Sequence, residues 1–145
     1  MKKNIILSLS AIIVFTLLAI SCKKDDEAAK PEITLTEVGH ENSKTAMRGD
    51  DMHLEADIVA EGLVKRIDVE FHKEDGSYEI EKAYTEGKYI GVKNTEFHEH
   101  IDIPEEAPLG EYHLHFSVTD QEGQTTTVEA HVQVVEYDEH EHHDE

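Results

Sequence analysis

Hydrophobic and polar residues alternate with a period of two along most of this chain, which predicts β-strands rather than helices. Apolar side chains occupy every second position in several short runs, and turn signals such as Asp75-Gly76 separate the runs. We predict strands at residues 33–35, 52–58, 67–71, 97–103, 112–118 and 128–134, with a weak edge strand over 78–84 and a loop over 85–94. No segment has the 3.6-residue period of an amphipathic helix.

About seven short strands between residues 31 and 136 predict an all-β domain with the architecture of an immunoglobulin-like β-sandwich. The sequence Gly110-Glu111-Tyr112 stands at the entry to a strand. It resembles the tyrosine corner found where such sandwiches cross between their two sheets. The span has the size of one ordinary domain, so we expect a single sandwich over 31–136.

The N-terminal residues follow the order that is typical of a secretory signal peptide: basic residues, an apolar run and a small residue. Lys2 and Lys3 precede an apolar run over 5–20, which is shorter than the roughly 20 residues that a membrane-spanning helix needs. Small Ser21 follows and then Cys22, the only cysteine of the chain, so the domain has no internal disulfide. The sequence around Cys22 resembles a bacterial lipobox, in which the cysteine carries lipid.

The residues after Cys22 predict where the protein is anchored. Lys24 precedes a run of acidic residues and resembles the export signal of Bacteroidota lipoproteins. We predict a signal peptide over 1–21, a lipidated polar tether over 22–30, and an outer-membrane lipoprotein exposed at the cell surface. The alternative is a cleaved soluble protein in which Cys22 occurs by chance.

The charge of the chain limits its partners. A formal net charge of −20 repels nucleic acid and anionic lipid surfaces, whereas the same carboxylates attract cations. The tail over 137–145 holds only acids and histidines after its tyrosine and is predicted to be disordered. Its three histidines suggest weak metal capture by a flexible arm: His140, His142 and His143.

The spacing of the eleven histidines predicts metal ligands on strands. Residues two apart lie on one face of a strand, about 6.6 Å apart, so two imidazoles can converge on one ion. In the last hairpin, only a three-residue loop over 121–123 keeps the apolar faces aligned. This register sets His113 opposite His131 and His115 opposite Glu129, all on the solvent side.

A second patch follows from the sandwich itself, because its second and fifth strands are neighbours in the opposite sheet. If 52–58 and 97–103 are those strands, one group of histidines and carboxylates lies together on the outer face: His53, Glu55, Asp57, His98, His100 and Asp102. The same alternation turns Glu99 inward, so we expect a β-bulge or a strand end near it.

Imidazole and carboxylate ligands suit zinc or copper, whereas calcium prefers oxygen ligands and no calcium-loop spacing is present. The alternative is that each histidine is an ordinary polar residue of a solvent-facing strand. A serine elbow, a phosphate loop and a dinucleotide fingerprint are all missing from the sequence, so we do not expect an enzyme.

Several motifs resemble those of a known family of Bacteroidota lipoproteins. They are GHENSKTA at 39–46, GDDMHLEADI at 49–58, FHEHIDIP at 97–104 and APLGEYHLH at 107–115. The family is the domain of unknown function DUF4625, and the resemblance extends over about 31–136. It implies an anchored immunoglobulin-like domain without an assigned activity. The histidines at positions shared with the family pattern are His40, His53, His98, His100, His113 and His115, which adds His40 to the candidate ligands.

The leading hypothesis is an anchored lipoprotein that binds a divalent transition metal, zinc or copper, for capture or for delivery to an outer-membrane transporter or receptor. The competing hypothesis is an immunoglobulin-like interaction module, an accessory subunit of an outer-membrane complex without ligand chemistry. Glycan binding is disfavoured because aromatic residues are few, at 6% of the chain.

Overall fold

The computed structural model describes residues 28–136, which form eight β-strands and one single-turn 3-10 helix. The strands are β1 Glu32–Val38, β2 Thr45–Met47, β3 Asp51–Val59, β4 Val64–Lys73, β5 Glu79–Tyr84, β6 Asn94–Asp102, β7 Gly110–Asp120 and β8 Thr125–Val135, and the short helix covers His40–Asn42. The predicted signal peptide, Cys22 and the tail over 137–145 lie outside the described residues. Within 28–136, no helix has the length and apolar character needed to cross a membrane.

The strands form two sheets that enclose one core as a β-sandwich. One sheet has the order β1-β3-β6 and the other the order β2-β8-β7-β4-β5. The run β8-β7-β4-β5 corresponds to the larger sheet of variable-type immunoglobulin domains. The predicted all-β sandwich is confirmed, with eight strands in place of about seven.

Alternate residues of each strand build the core between the sheets. Phe97 of β6 and Phe116 of β7 meet there with ring centroids 5.0 Å apart. Tyr112 is fully buried, and its hydroxyl donates a hydrogen bond to the carbonyl oxygen of Pro108 at 2.8 Å. This is the tyrosine corner that the sequence predicts, and it fixes the crossing into β7.

The register of the last hairpin is confirmed. Thr119 pairs with Thr125, and farther along the hairpin His113 pairs with His131 and His115 with Glu129. The connecting loop has Gly123 at φ 86°, a conformation that L side chains rarely adopt. The hairpin therefore sets the direction of the histidines on β7 and β8.

The strand β2 was not predicted. It has only three residues, and its pairing with β8 is parallel, from Thr45 with Gln133 to Met47 with Val135. So short a segment cannot show an alternating pattern. Its stability as a strand comes from a partner almost ninety positions later in the chain.

The β-bulge expected near Glu99 is wrong. The pairing of β3 with β6 runs without interruption from Asp51 opposite Asp102 to Val59 opposite Asn94. Glu99 does point to the inner side, but β6 is the edge strand of its sheet. There its Oε1 atom lies 2.6 Å from the hydroxyl oxygen of Tyr89 and 3.2 Å from Lys88 Nζ. These two partners stabilise the inward carboxylate, so the strand stays regular.

The chain enters the domain beside the loop between β7 and β8. The backbone N–H of Ala28 donates to Glu122 Oε2 at 3.1 Å, and its carbonyl oxygen accepts from the side chain of Gln124. We call this the tether end of the sandwich. The opposite end, where the backbone N–H of Arg48 donates to the carbonyl oxygen of Val135, is called the far end.

Candidate metal centre

The pairing of β3 with β6 brings three histidines together on the outer face of the three-stranded sheet. His53 lies directly opposite His100, and Glu55 lies directly opposite His98. Opposed side chains on one face of a sheet have Cβ atoms about 4.5–5.5 Å apart. The alternation that buries Met52 and Leu54 of β3, with Phe97 and Ile101 of β6, therefore turns these polar side chains outward together.

The three imidazoles converge closely enough to share one ion. The ring centroid of His53 lies 4.7 Å from that of His98 and 5.1 Å from that of His100. Each of the three residues offers a ring nitrogen within 4.8 Å of those of the other two. We call His53, His98 and His100 the His53 cluster. Tetrahedral zinc with nitrogen at 2.0–2.1 Å needs ligand atoms about 3.4 Å apart, so the rings must move closer together to bind one ion.

His53 is the most enclosed member of the His53 cluster. Its side chain is 18% exposed, against 57% for His98 and 56% for His100. Its Nε2 atom is buried and makes no hydrogen bond within the described residues. Glu55 Oε1 lies 3.2 Å from that nitrogen but is not aligned to accept from it. A buried ring nitrogen without a partner is unusual in a folded protein.

Carboxylates hold the other ring nitrogens. Glu37 Oε1 lies 3.2 Å from His53 Nδ1, and Asp51 Oδ1 lies 2.6 Å from His100 Nδ1. Because an ionised carboxylate only accepts, each Nδ1 carries the proton and donates. The Nε2 atoms of both rings are then the ones with a lone pair to offer. Glu55 Oε1 lies 3.0 Å from His98 Nδ1, so a carboxylate lies beside each of the three imidazoles.

The position of Glu37 depends on a β-bulge in β1. The register of β1 against β3 shifts between Leu35 and Glu37. Before the bulge the odd-numbered residues of β1 face inward, and after it Val38 does. The bulge thus turns Glu37 to the outer face, opposite Glu55.

Contacts between carboxylates and imidazoles shift the pKa values of two residues on this face. The hydrogen bond from His100 to Asp51, and the charge of that carboxylate, raise the pKa of His100. Partial desolvation raises the pKa of Glu37, but the backbone N–H of Glu41 and the ring of His53 together bring that pKa below its ordinary value. The first shift favours a protonated His100 beside Asp51, and the second favours an ionised Glu37 beside His53.

His40 and Asp102 lie close by but outside the three-ligand groups of the described residues. His40 is exposed on the short helix and lines a shallow cavity of about 290 Å³ together with His53 and His100. Asp102 is exposed at the end of β6, opposite Asp51. It is Asp51, which the sequence analysis did not select, that contacts His100.

The histidines predicted on β7 and β8 do not form one ligand set. The rings of His113 and His131 lie 4.6 Å apart, but His131 Nδ1 turns to Glu111 Oε1 at 2.6 Å. Neither ring belongs to a three-ligand group in the described part of the chain. His115 Nε2 is 4.0 Å from Glu129 Oε1, and its ring packs toward β4 instead.

Four contacting residues escaped the sequence analysis: Glu37, Asp51, Glu70 and His72. Glu70 and His72 have the same two-residue spacing that singled out the other pairs, and Asp51 stands two positions before His53, so the pattern could have identified them. No pattern predicts Glu37, because the bulge in β1 reverses its direction.

Solved structures of other proteins contain a similar fold. The sandwich is similar to part of catalytically inactive OgpA from Akkermansia muciniphila, solved with an O-glycopeptide substrate, with a TM-score of 0.53 and 15% identity. That match covers 72% of this chain and 29% of the other, so this chain spans less than a third of that protein. No curated protein matches the sequence.

Two other solved structures match with lower TM-scores. The sporulation control protein Spo0M from Bacillus subtilis has a TM-score of 0.45 at 16% identity, covering 77% of this chain and 51% of the other. A Niemann-Pick type C2 protein from the Japanese carpenter ant has a TM-score of 0.47 at 12% identity, covering 77% and 98%.

The sequence pattern of one family matches most of the chain. The match extends over residues 20–135 and therefore includes all eight strands and the His53 cluster. It agrees with the family indicated by the motifs at 39–58 and 97–115. The chain belongs to the family described as Domain of unknown function (DUF4625).

Proposed function

We propose that this protein binds a divalent transition metal ion, zinc or copper, through His53, His98 and His100. Two observations support the proposal: the buried Nε2 atom of His53 lacks a hydrogen bond, and the ring of His53 offers a nitrogen within 4.8 Å of one nitrogen from each of His98 and His100. A metal ion there gives this nitrogen a partner. Glu55 is the candidate fourth ligand, because its Oε1 atom lies 3.0 Å from a ring nitrogen of His98 and 3.2 Å from one of His53.

The surrounding acids support this assignment. Metal-bound histidines usually donate their second N–H to a carboxylate or a carbonyl, which fixes the ring and raises its basicity. Glu37 and Asp51 stand in this relation to His53 and His100. Three imidazoles with one carboxylate suit zinc or copper better than calcium or magnesium.

We further propose that the protein is a lipoprotein, anchored through Cys22 to the outer membrane and exposed at the cell surface. The support is the order of the basic, apolar and small residues before Cys22 and the acidic residues after Lys24. In this arrangement the His53 cluster lies toward the far end, away from the tether. That position suits capture of metal from outside and its delivery to an outer-membrane transporter or receptor.

Calorimetry with zinc and with copper on the full chain, purified in detergent without an affinity tag, tests the metal proposal. We expect a site that is lost when His53 and His98 are both changed to alanine. His131→Ala is the matched control, because it removes an exposed histidine outside the three-ligand groups of residues 28–136. A double variant that binds as tightly as the parent contradicts the proposal and favours the interaction module.

A further inference from the structure

We infer a second metal site on the other outer face of the sandwich, formed by Glu70, His72 and His115. It extends the proposed function, but shares no ligand with the His53 cluster. Glu70 and His72 are on β4, and His115 is on β7, in the middle of the five-stranded sheet.

The register aligns two rows of polar side chains across this sheet. The first row runs Glu79, His72, His113 and His131, and the second runs Glu81, Glu70, His115 and Glu129. Each row crosses four strands with directly opposed positions. Across both rows, which lie entirely in the described part of the chain, every side chain is a histidine or a carboxylate. The nearest arginine on the same face of β4, Arg66, is already bound to Asp68, with its Nε atom 2.7 Å from Oδ1.

The three proposed ligands are close enough for one ion. Their ligand atoms all lie within 4.8 Å of one another. The rings of His72 and His115 meet edge to face with centroids 5.2 Å apart, and His72 Nε2 is 3.3 Å from Glu70 Oε2. This set differs from the one predicted by the hairpin register, since Glu70 and His72 take the places of His113, His131 and Glu129 and only His115 is common to both.

Acids from the flanking strands support the two rings from outside the triad. Glu79 Oε1 on β5 lies 3.2 Å from His72 Nδ1, and Glu129 Oε1 on β8 lies 4.0 Å from His115 Nε2. Glu79 thereby stands where a carboxylate orients a metal-binding imidazole. Glu129 is placed to supply a further oxygen ligand.

The two sites cannot share an ion, since they lie on opposite faces of a sandwich whose sheets pack about 10 Å apart. All three side chains of the second site are about one-third exposed, and one of its ligands is a carboxylate. The His53 cluster has three imidazoles and one well-buried ring. We therefore expect the second site to bind zinc more weakly than the first.

The test counts zinc ions on the full chain in detergent, by calorimetry and by elemental analysis after equilibrium dialysis. The parent for every comparison carries alanine at His140, His142 and His143, which removes the histidines of the tail. We expect two ions on the parent and one on the His72→Ala, His115→Ala variant. The matched control is His113→Ala with His131→Ala, on the same face, which should keep two ions. Circular dichroism and thermal melting verify that each variant is folded. If the His72→Ala, His115→Ala variant does not fold, the single change Glu70→Gln takes its place.

The outcomes separate the two sites. Loss of one ion with His53→Ala and His98→Ala, and of the other with His72→Ala and His115→Ala, supports both. A parent that binds one ion, unaffected by the changes at His72 and His115, overturns the second site and leaves the first. Loss of an ion only in the control variant also overturns it, because the ligands would then be the pair on β7 and β8.

Discussion

At the scale of single residues, the candidate centre depends on acids that direct the imidazoles. Glu37 and Asp51 each accept a hydrogen bond from an Nδ1 atom and thereby leave the Nε2 atoms of His53 and His100 with a lone pair for the proposed metal ion. Neither acid was selected from the sequence, yet each determines what a neighbouring ring can do. Their contributions can be measured separately.

Glu37→Gln should weaken zinc binding by about tenfold, the lower end of the effect of removing a carboxylate from a metal-bound histidine. Glutamine keeps the size of the side chain but removes its charge, so the ring of His53 loses a charged hydrogen-bond acceptor and is less firmly held. Calorimetry at about pH 7.5 measures the change. The control is Glu41→Gln, on the adjacent turn, which alters an exposed acid whose backbone N–H, and not its side chain, contacts Glu37. Equal affinities for all three proteins contradict this role.

Asp51→Asn should lower the pKa of His100, since the hydrogen bond to Asp51 and the charge of that carboxylate raise it. A histidine with a raised folded-state pKa stabilises the fold below its ordinary value of about 6.5, and loses that contribution as the pH rises through the raised value. With a chelator present, the thermal midpoints of parent and variant should therefore differ more at about pH 5.5 than at about pH 8.5. NMR titration of the ring gives the pKa directly. A gap between the midpoints that does not change with pH contradicts the assignment.

At the scale of elements, most of the correct predictions came from the alternation of apolar and polar residues and from the length of the hairpin loop. The alternation over 112–118 and 128–134 has one register that buries both apolar faces, and the structure adopts it. The strand order of the sandwich, rather than a hairpin register, predicted β3 beside β6, and the structure pairs His53 with His100 there. Alternation failed at β2, which is too short for a pattern, and at Glu37, where one extra residue in β1 reverses the direction of the side chains.

Alternation also cannot say which way a ring rotates once it is on the correct face. His113 and His131 are paired as predicted, but His131 turns to Glu111 and His115 turns toward β4. Rotamers depend on neighbours from several strands, which one sequence does not reveal. The face and the pairing partner of each of these histidines were therefore predictable, and the direction in which each ring turns was not.

Gly123→Ala should destabilise the domain by about 1 kcal/mol, the cost of placing an L side chain in a left-handed conformation. A Cβ atom at this position meets no other atom within 4 Å, so the cost comes from the backbone alone. Chemical denaturation of both proteins measures it. Gly123→Asn is the matched control and should cost less, because asparagine tolerates positive φ. If both substitutions are neutral, Gly123 does not require its positive φ.

At the scale of the whole molecule, at least one member of each histidine group lies in the half of the sandwich remote from the tether end, while His98 and His115 stand at the middle of their strands. The chain enters at Ala28 beside the β7–β8 loop, whereas His53 stands near the beginning of β3 and His72 near the end of β4. The beginning of β3 and the end of β4 both lie at the far end of the sandwich. If Cys22 carries the anchor, His53 and His72 lie near the end of the domain remote from the tether.

Cys22→Ser should release the protein from membranes, because a single serine cannot carry the thioether-linked lipid. In cells that export the parent, the parent is expected in the membrane fraction and the variant in soluble fractions. Mass spectrometry of the parent should find a lipidated N-terminal cysteine. Ser21→Ala keeps a small residue before the cysteine and should leave the distribution unchanged. A variant that stays in the membrane fraction contradicts lipid anchoring.

The free side of β6 has a consequence for how copies of this protein behave when crowded together. An exposed strand edge is a template on which another chain can add a strand and begin to aggregate. Here the hydroxyl of Tyr89 already accepts from the backbone N–H of His98 at 3.1 Å, and the charged side chain of Glu99 points inward beside it. An incoming strand would have to displace that phenol and cover a carboxylate. This edge therefore resists self-association, even at high local concentration.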